Sequence, residues 1–217
     1  MNTAQAPFDP LVAFRYVGGD PSVDFVNTVD WTDRGRELDQ FTSYGRLLDW
    51  TGGAGVLDTR SLTQLRETGD AWTNEAERVL EEAVQLRGTL ERLYFQLVRG
   101  GRASSEINEL NSVWLGRALA GLAVVDRGDG SFELGWQQIG HSLEAPLWTV
   151  TWAAAKLLAS AEVSRFCRCG GPDCGWYYVD RSRNGLRRWC QMETCGTRMK
   201  SRRRARKNEL LRSSDMV

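Results

Sequence analysis

The longest periodic stretch of apolar residues predicts a helix over Thr73–Val98. Its apolar positions recur at three- and four-residue spacing, which places them on one face of a helix. Gly100 and Gly101 follow and end the pattern. A second set of spaced apolar positions, from Ser104 to Leu122, predicts another helix, and we expect Ser104 or Ser105 to cap its start.

The pattern changes after the second helix. The runs Ala123-Val124-Val125 and Phe132-Glu133-Leu134 flank Gly128-Asp129-Gly130, which predicts a β-hairpin. The following segment, from Leu143 to Ser160, is apolar almost all round. That composition predicts a helix at the centre of the core.

The first fifty residues mix short apolar stretches with turn signals. Ser43–Trp50 predicts a short helix that ends at Gly52-Gly53. Val23–Val29 is ambiguous, because its apolar residues mostly alternate as in a strand, yet it could equally open a helix. Together these patterns predict a mainly α fold with a small β-hairpin, in the α+β class, and a domain boundary near Ser164.

The charge distribution supports this division into residues 1–164 and 165–217. The chain has no formal net charge, and its 41% apolar and 26% charged residues are ordinary for a globular protein. Residues 1–164 hold 14 Lys and Arg against 23 Asp and Glu, a net of −9, whereas residues 165–217 hold 14 against 5, a net of +9. This asymmetry indicates two parts with different roles and a polyanionic partner for the basic part.

The sequence offers no signal for export or membrane insertion. The start, MNTAQAPFDPLVAF, lacks a basic region followed by an apolar run. The most apolar segment, from Ala145 to Ala159, is too short to span a bilayer and contains Lys156. We therefore expect a cytoplasmic protein with no membrane partner, and in that compartment cysteine clusters more often bind metal than form disulfides.

Four cysteines form two matched pairs in the basic part. Cys169 and Cys174 are separated by four residues, as are Cys190 and Cys195, and fifteen residues lie between the pairs. Two turns that each present a pair of thiolates can complete a tetrahedron around Zn²⁺. The remaining cysteine, Cys167, could replace Cys169, but choosing Cys169 makes the two turns equal in length.

The predicted zinc ion is structural, because four thiolates leave no open coordination position for catalysis. His141 is the only histidine, which excludes most histidine-based catalysis. The chain has no phosphate-binding glycine loop, no nucleophile elbow and no Ser/His/Asp set. We therefore expect a protein that is not an enzyme, with one zinc ion that holds a small segment together.

The segment around and after the cysteines is rich in arginine. Seven of the ten residues from Arg198 to Lys207 are basic, and a helix there would carry cations on every side. We expect a bound polyanion to stabilise such a helix. The alternative is that the segment is a solvated tail with no polyanionic partner. The residues expected to contact nucleic-acid phosphates are Arg181, Arg183, Arg187, Arg188, Arg198, Lys200, Arg202, Arg203, Arg204, Arg206 and Lys207.

Aromatic residues between the two cysteine pairs have two interpretations. Trp176, Tyr178 and Trp189 are expected to pack over the metal site as a small core, and stacking on bases is the weaker alternative. Asn184-Gly185 in the same segment predicts a hairpin turn.

These motifs resemble the CGNR zinc finger. The matching residues are Cys169-x4-Cys174-Gly175-Trp176, Val179-Asp180-x-Ser182-Arg183-Asn184, Arg187-Arg188-Trp189-Cys190-x-Met192 and Cys195-Gly196-x-Arg198-x-Lys200. Val23-Asp24-Phe25-Val26-Asn27-Thr28 similarly resembles the signature of the ABATE domain, which precedes this finger in bacterial proteins. Thr197 departs from the pattern, since the family has Asn there.

The resemblance implies a bacterial, stress-linked transcription regulator of the nucleoid, whose ABATE part senses or assembles and whose finger binds DNA. A small-molecule effector and a homodimer are the further partners it implies. Asp24, Asn27 and Thr28 are candidates for the ligand site, because on a helix they would share one face. The alternative is that they cap the helix and bond to nearby backbone.

The sequence is compatible with three other functions. The basic segment could bind RNA instead of duplex DNA. The N-terminal part could bind a small molecule, with the finger only structural. The finger could also mediate protein contacts or sense oxidants through its thiolates.

Overall fold

A computed structural model describes residues 13–32 and 35–214, and within these ranges helices dominate and the strands form antiparallel pairs. The mainly α prediction is therefore confirmed. The helices are α1 (Pro21–Val26), α2 (Tyr44–Gly53), α3 (Thr59–Ala71), α4 (Thr73–Val98), α5 (Ser104–Glu109), α6 (Gly116–Ala120), α7 (Ala145–Leu158) and α8 (Thr197–Ser214). The strands are β1 (Val29–Thr32), β2 (Gly35–Asp39), β3 (Leu122–Asp126), β4 (Phe132–Trp136), β5 (Phe166–Arg168) and β6 (Tyr177–Val179).

The ambiguous N-terminal segment opens with the helix α1. Asp20 caps it by accepting a hydrogen bond of 2.9 Å from the Ser22 N–H, and Pro21 occupies the first helical position. Both features favour a helix start. The strand pattern applies only from Val29 onward, where β1 begins.

The short helix α2 is longer than predicted. Ser43 caps it, as its hydroxyl accepts from the Arg46 N–H at 3.2 Å. The helix ends at Gly53, which confirms the prediction that Gly52-Gly53 ends it, and the chain turns two residues later at Gly55, where φ is +66°. The sequence pattern missed α3, whose start is capped by Asp58.

The two long helical predictions have different outcomes. Helix α4 has the predicted bounds, and Gly100 after it has a φ of +66°. The second helix forms as α5, a π-helical segment at Leu110–Leu115 and α6. The predicted cap is wrong: Ser104 is the first helical residue and no side chain caps this start.

The predicted hairpin forms as β3 and β4, with Val124 opposite Leu134. The structure adds the antiparallel pairs β1–β2 and β5–β6, so the described residues contain three such pairs, of which the sequence located only β3–β4. These extra strands are three to five residues long, which is too short for a clear alternating pattern.

The core is built around α4 and the predicted central helix α7. Ala145, Val150 and Ala154 of α7 are completely buried. The same core includes Phe166 of β5 and Tyr177 of β6, so the ribbon β5–β6 packs into it rather than standing apart. No helix of the described ranges is both long and apolar enough to cross a membrane.

Candidate metal centre and nucleic-acid interface

The four predicted ligand cysteines converge on one point. Their Sγ atoms all lie within 4.8 Å of one another, and no other such group occurs among the residues the structure describes. The Sγ atom of Cys190 lies 3.7 Å from that of Cys174 and 3.6 Å from that of Cys195. Zinc–sulfur bonds of about 2.3 Å in a tetrahedron place sulfur atoms about 3.8 Å apart, so the geometry fits zinc. The cluster contains Cys169 and not Cys167.

The first pair of cysteines is placed by the ribbon β5–β6. Cys169 directly follows β5, and its N–H donates to the carbonyl of Trp176 at 2.9 Å, which extends the strand pairing to the metal site. The chain reverses through Gly171, whose carbonyl accepts from the Cys174 N–H at 3.1 Å. A Cβ at Gly171 would lie 3.2 Å from the Cβ of Cys174, so glycine permits this close turn.

The second pair lies in a turn that leads straight into α8. Cys195 falls in a π-helical turn, Met192–Gly196, and α8 begins at Thr197. The Thr197 hydroxyl donates to the Met192 carbonyl at 3.2 Å, which is the contact made by the residue that replaces the family's Asn. Zinc bound at Cys195 therefore fixes the first turn of the basic helix.

The thiols also require a cation to ionise together. The hydrogen bond from Cys174 lowers the pKa of Cys169, whereas the same contact raises the pKa of Cys174. The pKa of Cys190 is raised as well, chiefly by its hydrogen bond to Cys169. A divalent cation offsets the repulsion between thiolates. The cysteines thus form the site of one structural zinc ion.

Aromatic residues cover the metal site, as the sequence predicts. Trp176 and Tyr178 are buried with 6% and 1% of their surface exposed, and Trp189 packs against them as a half-buried residue. Asn184-Gly185 forms a turn in which Gly185 has a φ of +62°. The predicted hairpin is wrong, because β6 pairs with β5 and not with a strand after this turn.

Most of the predicted phosphate contacts are exposed cations. These residues form no ion pair with another described residue, and they are Arg183, Arg188, Arg198, Lys200, Arg203, Arg204 and Arg206. Lys207 falls within α8, but its side chain lies outside the described part of the structure. The role of these cations in binding nucleic acid stays a prediction.

Three other residues predicted to contact phosphates are bonded to protein atoms instead, and they are Arg181, Arg187 and Arg202. Arg181 pairs with Glu162 through two hydrogen bonds of 2.7 Å. Arg202 of α8 pairs with Asp173 at 2.5 Å, which ties the helix back to the first cysteine turn. These pairings reduce the charge that Arg181 and Arg202 can offer to a phosphate.

Arg187 is the most firmly held of the predicted contacts. Its guanidinium donates to the carbonyls of Val17 at 2.8 Å and Trp189 at 3.0 Å, and also to that of Cys190. The same group lies over the Tyr178 ring, 4.3 Å from its centroid. The geometry makes Arg187 a structural support of the second cysteine turn.

The three candidate ligand residues of the N-terminal part are buried and bonded within the chain. Asp24 accepts from the Gly18 N–H at 2.7 Å. Burial raises the pKa of Asp24 to about 7 despite this bond. Thr28 donates to the Phe25 carbonyl at 2.7 Å and accepts from the buried Arg87 guanidinium at 2.9 Å. Their role in binding an effector stays a prediction.

Asn27 joins the two halves of the chain. Its side-chain amide donates to the Tyr177 carbonyl and accepts from the Tyr177 N–H, both at 2.9 Å. Next to it, the indole of Trp176 donates to the Val29 carbonyl at 2.7 Å. Sequence reasoning missed this link, because an amide that pairs with a distant peptide group leaves no local pattern.

Two models of known protein families match the chain, one in the N-terminal part and one in the zinc finger. A family model named ABATE, described as "Putative stress-induced transcription regulator", matches residues 19–161. A second model, the CGNR zinc finger, matches residues 165–207. No curated protein matches the chain. The two family models match the segments from which the resemblance was predicted.

Proposed function

The chain belongs to the ABATE family, and we propose that it regulates transcription by binding duplex DNA with its zinc finger and α8. The observation that carries the proposal is the set of exposed cations on α8, a helix that begins two residues after the zinc ligand Cys195. A helix with a fixed start can present its charges to a phosphate backbone in one orientation.

The charge balance favours this partner. Residues 165–217 carry a net charge of +9 and residues 1–164 a net charge of −9. A polyanion is attracted to the first part and repelled by the second, so it binds in one orientation. Phosphate contacts of this kind release counterions, which makes the affinity depend steeply on salt.

Duplex DNA fits better than single-stranded RNA. Single-strand binders need aromatic faces on which bases can stack. Here Trp176 and Tyr178 are buried, and Trp189 is half-buried beneath Arg188, whose guanidinium lies 5.5 Å from the ring centroid. The aromatic residues Trp176, Tyr178 and Trp189 thus serve the small core of the finger, and its cations remain exposed.

The test is a fluorescence-anisotropy titration of the full chain with a labelled 30-bp duplex over a range of salt. We expect binding at 50 mM salt and a slope of log K against log salt of about −4 to −6. The double variant with Arg203→Gln and Arg204→Gln should make this slope less steep by about 2. The matched control, Arg60→Gln with Arg102→Gln, removes two exposed arginines outside the basic part and should leave it unchanged.

Two results would overturn the proposal: no binding at low salt, or affinity that does not vary with salt. Tighter binding to single-stranded or structured RNA than to any duplex would replace DNA with RNA as the partner.

The proposal gives the N-terminal part a regulatory role, which includes a small-molecule effector and assembly into a homodimer. A surface groove of about 360 Å³ lies between α2, α3 and α4 and is lined by Tyr44, Arg66, Thr73 and Glu77, which supports an effector. A dimer would present two basic helices to one duplex. Sedimentation of the DNA-free chain tests assembly, and a species of 24.4 kDa would contradict it.

In this role the protein acts in the cytoplasm with the nucleoid and performs no catalytic step. The closed shell of four thiolates supports this assignment, since it leaves zinc no position for substrate. His141 is exposed and lies in a short 3₁₀ turn. Any turnover that depends on the zinc site would contradict the assignment.

A further inference from the structure

Leu186 is the most exposed large apolar side chain in the described part of the chain, with 76% of its surface accessible. It follows Gly185 in the loop between β6 and Cys190, and the exposed cations Arg183 and Arg188 lie on either side of it in sequence. An apolar side chain in this position is in contact with water in the free protein, and its burial would be favourable.

The loop that carries Leu186 is held in place by buried groups. The carboxylate of Asp180, 3% exposed, accepts from the Ser182 N–H at 2.9 Å and from the Arg187 N–H at 3.0 Å. The Tyr178 hydroxyl donates to the Arg187 carbonyl at 2.6 Å. Both ends of the loop are therefore fixed, and the exposure of Leu186 is imposed by the fold. Little conformational freedom remains to be lost on binding.

Leu186 shares a surface with the basic helix. It lines a groove of about 410 Å³ together with Arg188 and Trp189. These same two residues line the adjoining groove of about 470 Å³, whose other wall is formed by Lys200 and Arg203 of α8. A duplex bound along α8 would meet Leu186 next to the cations that hold its phosphates.

We propose that Leu186 inserts between base pairs of duplex DNA from the minor groove and bends the duplex. The inference rests on the proposed function. Charged phosphates offer an apolar side chain no favourable partner, so Leu186 can be buried only inside a groove, against bases and the C–H faces of sugars. Leucine side chains on minor-groove binders act as such wedges, partially unstacking a base step and kinking the duplex. The rigid loop and the flanking cations supply the two conditions that such insertion needs.

The test measures the bend and the cost of unstacking separately, using the full chain. A 30-bp duplex labelled at both ends reports bending by energy transfer, and a central mismatch lowers the cost of opening the step. We expect the unsubstituted chain to raise energy transfer and to bind the mismatched duplex about fivefold more tightly than the matched one. Leu186→Ala should abolish both effects and weaken binding about fivefold, with the salt slope unchanged.

The matched control is Leu134→Ala, which shortens the same kind of side chain at a position 64% exposed on β4. It should keep the bend and the mismatch preference. Circular dichroism and zinc content verify that both variants are folded. Two outcomes would contradict the insertion of Leu186 and leave the proposed function intact. In one, Leu186→Ala bends DNA as much as the unsubstituted chain does. In the other, the unsubstituted chain binds DNA with a salt-dependent affinity but does not bend it. If the unsubstituted chain does not bind duplex DNA at low salt, both fail.

Discussion

Asn27 and Tyr177 lie 150 positions apart in the chain and are joined by two hydrogen bonds of 2.9 Å. The side-chain amide of Asn27 both donates to and accepts from the peptide group of one residue on β6. It therefore bonds to β6 in the way that the backbone of a neighbouring strand does. The link connects the segment after α1 directly to the strand that follows the first cysteine turn. The position of Asn27 is therefore fixed relative to the strand that leads out of the zinc site.

Replacing Asn27 with Asp tests this link with almost no change in shape. The carboxylate can still accept from the Tyr177 N–H, but it cannot donate to the Tyr177 carbonyl. A buried acceptor is left unpaired, so we expect a loss of about 2 kcal/mol in the free energy of unfolding in urea. Asn108→Asp, at an exposed position, is the control and should change stability by less than about 0.5 kcal/mol. An equally small change in the free energy of unfolding of Asn27→Asp would show that the two hydrogen bonds contribute little to stability.

Replacing Cys190 with Ser tests the ligand assignment. The variant loses one of four thiolates, so we expect it to bind less than one zinc ion per chain, to lose helicity in α8 and to bind DNA more weakly. Metal analysis after gel filtration measures the stoichiometry. Cys167→Ser removes the thiol that lies outside the cluster and should retain one zinc ion. Stoichiometric zinc in Cys190→Ser would make the assignment wrong.

Two neighbouring arginines should separate stability from DNA binding. Arg187 donates to three backbone carbonyls, so Arg187→Gln should lower the free energy of unfolding by about 2 kcal/mol. Arg188 is exposed, so Arg188→Gln should leave stability almost unchanged and reduce the salt slope of DNA binding by about 1. Urea unfolding and the salt titration measure the two effects, and the reverse pattern would contradict the structural role of Arg187.

Asp24 should make stability fall as pH rises. Burial raises its pKa to about 7, against donation from the Gly18 and Val17 amides. Between the unfolded pKa of about 4 and this value the native state binds more protons than the unfolded chain, so stability is lost as pH rises through the native pKa. Between pH 6 and 8 this group alone should account for a loss of about 1.4 kcal/mol.

The Asp24→Asn variant has no ionisable group at this position. Urea unfolding at pH 6 and pH 8 should therefore show a smaller difference for the variant than for the unsubstituted chain, by the amount assigned to Asp24. Equal differences would mean that Asp24 ionises in the native state as it does in the unfolded chain.

Local patterns in the sequence predicted some parts of this fold well. Helix α4 was found to its ends because a long apolar face repeats through it. Helix α3 was missed because Leu65 is its only fully buried large apolar side chain, which leaves too weak an apolar face to detect. The zinc site was predicted because the two cysteines of each pair are close in sequence, and paired cysteines at such spacing are typical of zinc ligands.

Contacts between distant segments could not be predicted in the same way. Asn27 and Thr28 were assigned either to a ligand or to local capping, but Asn27 pairs with a peptide far along the chain. Arg187 was grouped with the cations for phosphate, since the sequence reports its charge and not the carbonyls around it. In both cases the partner is set by the packing of the whole chain.

The ring of Tyr94 on α4 lies 4.7 Å from that of Phe166, which in turn stacks on Tyr177 at 5.5 Å. These rings belong to segments matched by two different family models. A gene fusion that joined this finger to an unrelated first domain would leave Phe166 and Tyr177 without their aromatic partner. Such a chimaera would lose stability unless the new domain offered a similar ring, so the finger is not freely exchangeable between first domains.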